Sequence, residues 1–217
     1  MKNFLDYDLF VFDVDGTLLD TSEGLINSTV FTIKSLGLRM PDAQTLRSFV
    51  GPRIQDSMSQ VFGLQGQELK KACDVFRNYY KQGDVLLAKP YPYVFELLDM
   101  LFKNKKKLAV ATNKRQDFVD ALMGKYGFAK YFTVVHGTDF EGKLKKSDLI
   151  QKCLEDFTIQ NLRNAVMIGD SEYDFDAAKE CGVDFIGVTY GFGYKKNTSL
   201  PSGEACLLES LKDICNS

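Results

Sequence analysis

The sequence predicts an α/β protein: a parallel sheet with helices on both faces, carrying an all-helical insert after its first strand. Three observations predict it. Five short apolar runs, at 9–12, 108–111, 132–135, 165–168 and 185–189, lack the alternation of half-exposed strands and read as strands buried on both faces. Segments with helical periodicity separate the last four, the rhythm of repeated strand and helix units. The first and second runs lie roughly ninety-five residues apart, whereas a parallel crossover needs only about a dozen.

Taken in order, the run LFVF at 9–12 gives the first strand. The insert opens with a helix over 20–36, where Asp20 stands three residues before Glu23 in a capping-box pattern and Ile26, Val30 and Ile33 share a side. Helices over 42–50, 55–62 and 67–81 follow, separated by Gly51-Pro52 and by 63–66. Segment 92–103 sets Val94, Leu97, Leu98 and Leu101 along one stripe, with Pro92 in its first turn. Segment 115–126 carries Phe118, Ala121 and Leu122 and stops at Gly127; segment 172–181 carries Phe175, Ala178 and Cys181 and stops at Gly182. Between them, 147–156 carries Leu149, Ile150, Cys153 and Leu154. The expected organisation is a Rossmann-like core of residues 1–16 and 88–217 and a helical cap of residues 17–87.

Composition excludes several classes. With 27 basic and 29 acidic residues the net charge is −2, so no global field marks a nucleic-acid polymer as partner. The lysines at 103–107 adjoin a surface helix without interleaved aromatics, which argues the same way. Asp6 and Asp8 break any signal-peptide core, and no apolar run approaches membrane-spanning length. The 5 cysteines are odd in number and lack metal-site spacing, so reduced thiols in a cytoplasmic protein are expected.

The chemistry concentrates at strand exits. Asp13 and Asp15 follow the first apolar run, and Gly16 lets the chain turn so that both carboxylates converge at the carboxyl edge of the sheet, where open α/β sheets bind ligands. Gathering two like charges there costs energy unless a cation compensates. Magnesium suits the pair, being hard and able to bridge carboxylates to a phosphate. Gly169-Asp170 repeats the design, and Asp174 follows one helical turn later. Asp13 and Asp170 are therefore candidate metal ligands, with Asp174 supporting a ligand, water or lysine; Ser171 reads as a helix cap and Asp20 as a turn former or cap. The second strand ends in Thr112-Asn113-Lys114 before a helix whose free N–H groups favour an anion, which makes Thr112 a candidate phosphate contact. Lys143, Lys145 and Lys146 crowd the stretch after the third strand, and their pattern does not choose among them. The only histidine, His136, excludes histidine-pair metal sites and is read as structural; Gly187, Gly191 and Gly193 form no P-loop and read as a loop after the fifth strand.

In these motifs and their order, FDVDGTLLD at 12–20, Thr112-Asn113, Lys146 followed by SDLI, and GDSEYDFDAA at 169–178, the chain resembles the haloacid-dehalogenase-like hydrolases, in their phosphoglycolate-phosphatase-like branch. The resemblance covers nearly the whole chain. It implies a magnesium-dependent phosphomonoester hydrolase working through an aspartyl-phosphate. Asp13 would be the nucleophile and Asp15 the general acid/base, with its backbone carbonyl on magnesium; Asp170 would complete the metal ligands and Asp174 support them. Thr112 and Lys146 would hold the phosphoryl group, with Lys145 as rival, and Asn113 would orient the surroundings. The stretch FVGPRIQDS at 49–57 looks like the family's substrate-facing loop, with Arg53 where relatives often carry a second proline; Arg53 and, more weakly, Arg47 are candidate substrate contacts.

The expected partner is a small phosphorylated metabolite, with no nucleic-acid polymer and no membrane; a homodimer stays open. Alternatives are a nucleoside 5'-monophosphate phosphatase, a sugar phosphomutase, and a non-catalytic phosphometabolite-binding protein. A carbon–halogen hydrolase fits poorly, because such relatives lack the paired aspartates.

Overall fold

The computed structural model describes residues 4–141, 143–159, 164–198, 200 and 205–215. It divides into two compact units, Met1–Leu19 with Pro90–Ser217, and Asp20–Lys89.

The first unit is a six-stranded, all-parallel sheet of strands β1 (Leu9–Phe12), β4 (Lys107–Arg115), β5 (Val134–Thr138), β6 (Ala165–Gly169), β7 (Asp184–Val188) and β8 (Ala205–Leu208), in the order β5-β4-β1-β6-β7-β8. Strand β1 is flanked on both sides: Leu9 pairs with Lys107 and Ala165, and Phe12 with Val110 and Ile168. The residues after these strands therefore leave the sheet at one edge, where the strand order reverses.

Burial explains the missing alternation. All four residues of β1 are fully buried because consecutive side chains enter different layers. Leu9, Val11, Ala109, Ala111, Ala165 and Met167 pack against helices α7 (Lys146–Asp156) and α8 (Glu172–Cys181). Phe12 meets Phe132, which meets Phe128, which stacks on Phe95 of α5 (Val94–Lys103). Helix α6 (Gln116–Lys125) follows β4 directly, and a four-residue α9 (Lys212–Cys215) ends the described chain. No described helix is long and apolar enough to cross a membrane.

The second unit holds α1 (Ser22–Ser35), α2 (Ala43–Arg47), α3 (Ile54–Phe62) and α4 (Gly66–Tyr80); short strands β2 (Leu19–Asp20) and β3 (Lys89–Pro90) stand at the two crossings between units. Phe49, Met58 and Ala72 form its core, covered by Ile54, Val61, Phe62 and Leu69. Tyr79 stacks on Phe31 at 3.7 Å and Tyr80 on Phe76, so both tyrosines pack within this unit.

Three local expectations change. Strand β5 begins at Val134 and runs to Thr138, because Phe132 is taken up by the aromatic layer rather than the sheet. Asp20 does not form a capping box: its Oδ1 accepts from the Ser22 N–H at 3.0 Å and Oγ at 2.6 Å, fixing the turn before α1, whose N-cap is Thr21. Strand β8, four residues at the sheet edge, was not among the five apolar runs.

Candidate active site

The exit of β1 is wound tightly. The Val14 carbonyl accepts from the N–H groups of Thr17, Leu18 and Leu19, and Gly16 donates to the Leu19 carbonyl at 2.9 Å. Gly16 has φ +81, and a Cβ there would lie 2.2 Å from the Asp170 Oδ2, so the position excludes any side chain on two independent grounds. The Asp13 N–H donates to the Ile168 carbonyl at 2.9 Å, tying the first aspartate to the strand that delivers Asp170.

Around this exit the structure brings together Asp13, Asp15, Asp170, Asp174, Lys114 and Lys146, each no more than 8% exposed. Lys146 Nζ, from the first turn of α7, lies 2.7 Å from Asp13 Oδ1 and 2.8 Å from Asp174 Oδ1. Burial alone would push its ammonium down, but Asp13 and then Asp174 outweigh that and hold it above the ordinary value. Of the three lysines in this stretch, Lys143 pairs with Glu141 at the surface and Lys145 is exposed, while Lys146 turns inward. Asp174 also accepts at Oδ2 from the Ser171 N–H (3.1 Å) and Oγ (2.7 Å), so the helix start is stapled to the acid cluster; burial raises the Asp174 carboxyl and Lys146 opposes the rise.

Asp170 is held from the loop after β7, where Phe192 and Gly193 donate their N–H groups to Oδ2 at 2.6 and 3.1 Å. Burial pushes its carboxyl up to about 7; the charges of Asp174 and Asp13 push the same way, and the two N–H donors pull back. One carboxylate oxygen each from Asp13, Asp170 and Asp174 lies within 4.8 Å of the others.

Thr112 is buried within β4, and its Oγ1 accepts from the Lys114 N–H at 3.3 Å. Asn113 lies beside it, half-buried. Lys114 Nζ reaches Asp15 Oδ2 at 3.1 Å, a pairing the sequence reading did not anticipate; its one signal was a lysine two residues beyond Thr112 on the same edge. The sequence reading also missed the backbone donors of Phe192 and Gly193, whose trace was only the glycine pair in YGFGY. Arg47 and Arg53 belong to the helical unit. Arg53 is the N-cap of α3 and its guanidinium is chelated by Asp56, Nε to Oδ2 at 2.8 Å and Nη2 to Oδ1 at 3.3 Å; Arg47 is exposed in the last turn of α2. His136 faces Asp156 at 2.7 Å, near the surface.

Two acid-bearing strand exits sharing a lysine, beside a buried threonine, are the parts the motif order implied. The model of the haloacid dehalogenase-like hydrolase family matches residues 10–188. The chain belongs to that family. It is 30% identical over 217 residues to a phosphoglycolate phosphatase of Vibrio parahaemolyticus, covering 96% of this chain and 95% of that one. It is likewise 30% identical over 190 residues to a 5'-nucleotidase of Pseudomonas aeruginosa, covering 87% and 86%. A predicted phosphatase from Clostridium acetobutylicum has the same fold, with a TM-score of 0.89 at 30% identity and 97% of each chain covered. The family and the phosphoglycolate-phosphatase-like branch read from the motifs are thereby borne out, as is the Rossmann-like α/β fold.

Proposed function

We propose that this hydrolase is a magnesium-dependent phosphomonoesterase acting on a small phosphorylated metabolite through an aspartyl-phosphate on Asp13. The observation that carries the reading is charge. Among the described residues four buried carboxylates face two buried ammoniums at one sheet edge, an excess of negative charge. A divalent cation restores neutrality, and an all-oxygen donor set suits magnesium. The upward shift of Asp170 points the same way, since a buried carboxylate without a cation retains its proton. Asp13, Asp170 and the Asp15 backbone carbonyl would hold the ion, with Asp174 supporting them; bound there, it would offset charge on the phosphoryl oxygens.

The chain's own groups account for the proton and bond bookkeeping. An Asp13 carboxylate oxygen attacks phosphorus as the ester P–O bond breaks, and Asp15 gives its proton to the departing oxygen. Asp15 then takes a proton from water, whose oxygen attacks the aspartyl-phosphate, releasing phosphate and restoring Asp13. Thr112 and Lys146 hold the phosphoryl group, and Asn113 orients its surroundings. The helical unit acts as the cap, with Arg53 and Arg47 reading the leaving group. The chain's five cysteines are free thiols, which supports a cytoplasmic setting.

Phosphoglycolate is the first substrate to test and nucleoside 5'-monophosphates the second, because each is suggested by a relative at 30% identity. The test is a hydrolysis screen with magnesium over phosphoglycolate, nucleotides, sugar phosphates and pyrophosphate, run beside Asp13→Asn. Phosphate release that needs magnesium and disappears in the folded variant supports the reading. A tenfold preference in kcat/KM, about 1.4 kcal/mol, would name the substrate class. No release from any member refutes the reading, and transfer between sugar hydroxyls in place of release would make the protein a phosphomutase.

A further inference from the structure

Lys114 is the one buried charged group at the site to which the proposed chemistry gives no task. Its position is not a by-product of a regular strand. Strand β4 pairs with β5 in register up to Thr112 opposite Gly137, and the next pair is Arg115 opposite Thr138, so Asn113 and Lys114 are two extra residues on β4. A bulge of this kind bends a strand and re-aims its side chains. Two further features are fitted to it. A Cβ on Gly137 would lie 2.6 Å from the Lys114 carbonyl oxygen, so the swollen backbone of β4 needs a glycine opposite it. Gln116 mends the interrupted ladder, accepting from the Gly137 N–H at 2.6 Å through Oε1 and donating to the Val135 carbonyl at 3.2 Å through Nε2. The bulge turns the Lys114 side chain into the protein, 3% exposed, with Nζ 3.1 Å from Asp15 Oδ2.

Asp15 is the residue that gains by this. It lies on a turn whose backbone is bridged to Leu19, and the Lys114 ammonium stands against its carboxylate. Asp13, Asp170 and Asp174 are aimed by Lys146 and by the backbone donors of Ser171, Phe192 and Gly193. Lys114 supplies the corresponding restraint to the acid/base.

We propose that Lys114, presented by the β4 bulge, is a positioning residue that aims the Asp15 carboxylate at the leaving-group oxygen. The inference rests on the phosphatase reading above, in that it takes Asp15 as the general acid/base. It separates two lysines by role: Lys146 serves the phosphoryl group, and Lys114 serves proton delivery to the departing oxygen.

The test uses Lys114→Met, with Lys114→Gln carrying the same comparison where the first variant does not fold, and two probes in magnesium. Glycerol phosphate leaves as an alkoxide and needs a proton, whereas p-nitrophenyl phosphate leaves as a stable phenolate and does not. On glycerol phosphate kcat should fall by about 30-fold or more with KM within about threefold, in the range of a mispositioned general acid. The rapid-mixing burst of nitrophenolate, which reports attack by Asp13, should stay within about threefold of wild type, since it needs no acid. Lys114→Arg should recover part of the loss, and adding Lys114→Met to Asp15→Asn should cost nothing further. Equal losses on both probes, a loss confined to KM, or additive effects with Asp15→Asn would overturn the inference and make Lys114 a phosphate contact. A crystal structure of the variant decides independently of activity: the Asp15 carboxylate should leave its position, and an unmoved carboxylate overturns the inference. Wild-type inactivity on both probes leaves the crystal structure to decide the role of Lys114, and only inactivity across the whole metabolite screen refutes the phosphatase reading instead.

Discussion

Replacing Asp170 with asparagine should make the metal-free protein more stable while removing its response to magnesium. In the folded protein burial carries the Asp170 carboxyl from 3.8 to about 7. The unfolded chain therefore releases this proton from about pH 4, whereas the folded site keeps it until about pH 7. Across that window the folded state binds more protons, so stability falls as pH rises. At 1.36 kcal/mol per unit, a shift of about three units amounts to about 4 kcal/mol above pH 7, and partial relaxation of the site brings the expected figure to about 2–4 kcal/mol. Asparagine keeps an oxygen for the Phe192 and Gly193 donors and carries no charge to desolvate. Urea unfolding in EDTA at pH 8 should show Asp170→Asn ahead of wild type by that amount, and the gap should close near pH 4. Magnesium at a hundred times its Kd should then add about 2.7 kcal/mol to wild type and nothing to the variant. A variant no more stable than wild type at pH 8 without metal would refute the claim that this carboxylate is held at a cost.

Two further substitutions test the frame around it. Lys146→Met leaves Asp13 and Asp174 buried without their shared ammonium and should cost about 3–5 kcal/mol in urea unfolding at pH 7; a cost below about 1 kcal/mol would mean that the pair is solvated. Gly16→Ala combines φ +81 with a Cβ 2.2 Å from Asp170 Oδ2, and should lose at least about 2 kcal/mol together with the thermal shift that magnesium produces; retention of both would show that the turn can open without moving Asp170.

The sheet and its active edge were legible because they depend on patterns that are local and strong. A run such as LFVF, buried on both faces and ending in Asp13, leaves few readings. What stayed hidden depends on the third dimension. Lys114 looked like any surface lysine, since the bulge that turns it inward is a relation between β4 and Gly137 rather than a property of 112–115. Lys146 could not be told from Lys143 and Lys145 by spacing; its burial at the start of α7, against Asp13 and Asp174, distinguishes it. Asp20 matched a capping box in spacing, yet its side chain bonded Ser22 two residues on, because turn and cap signals share residue types. Phe132 belongs to an apolar run of which the sheet uses only Val134 and Val135, its ring being claimed by Phe12 and Phe128.

The pairing of β1 also sets an order of events on the ribosome. Its neighbours are Lys107–Val110 on one side and Ala165–Ile168 on the other, so the central strand is made first and waits for both. At about 5–20 residues per second, roughly 8 to 30 seconds pass before the second neighbour is even synthesised. Before Lys107 is made the helices of 20–89 can complete their own packing, while an unpaired, uncharged stretch of four apolar residues waits in the nascent chain. The strand that leads into Asp13 is thus also the one that translation leaves longest without a first partner, and the one a holdase would be expected to meet first.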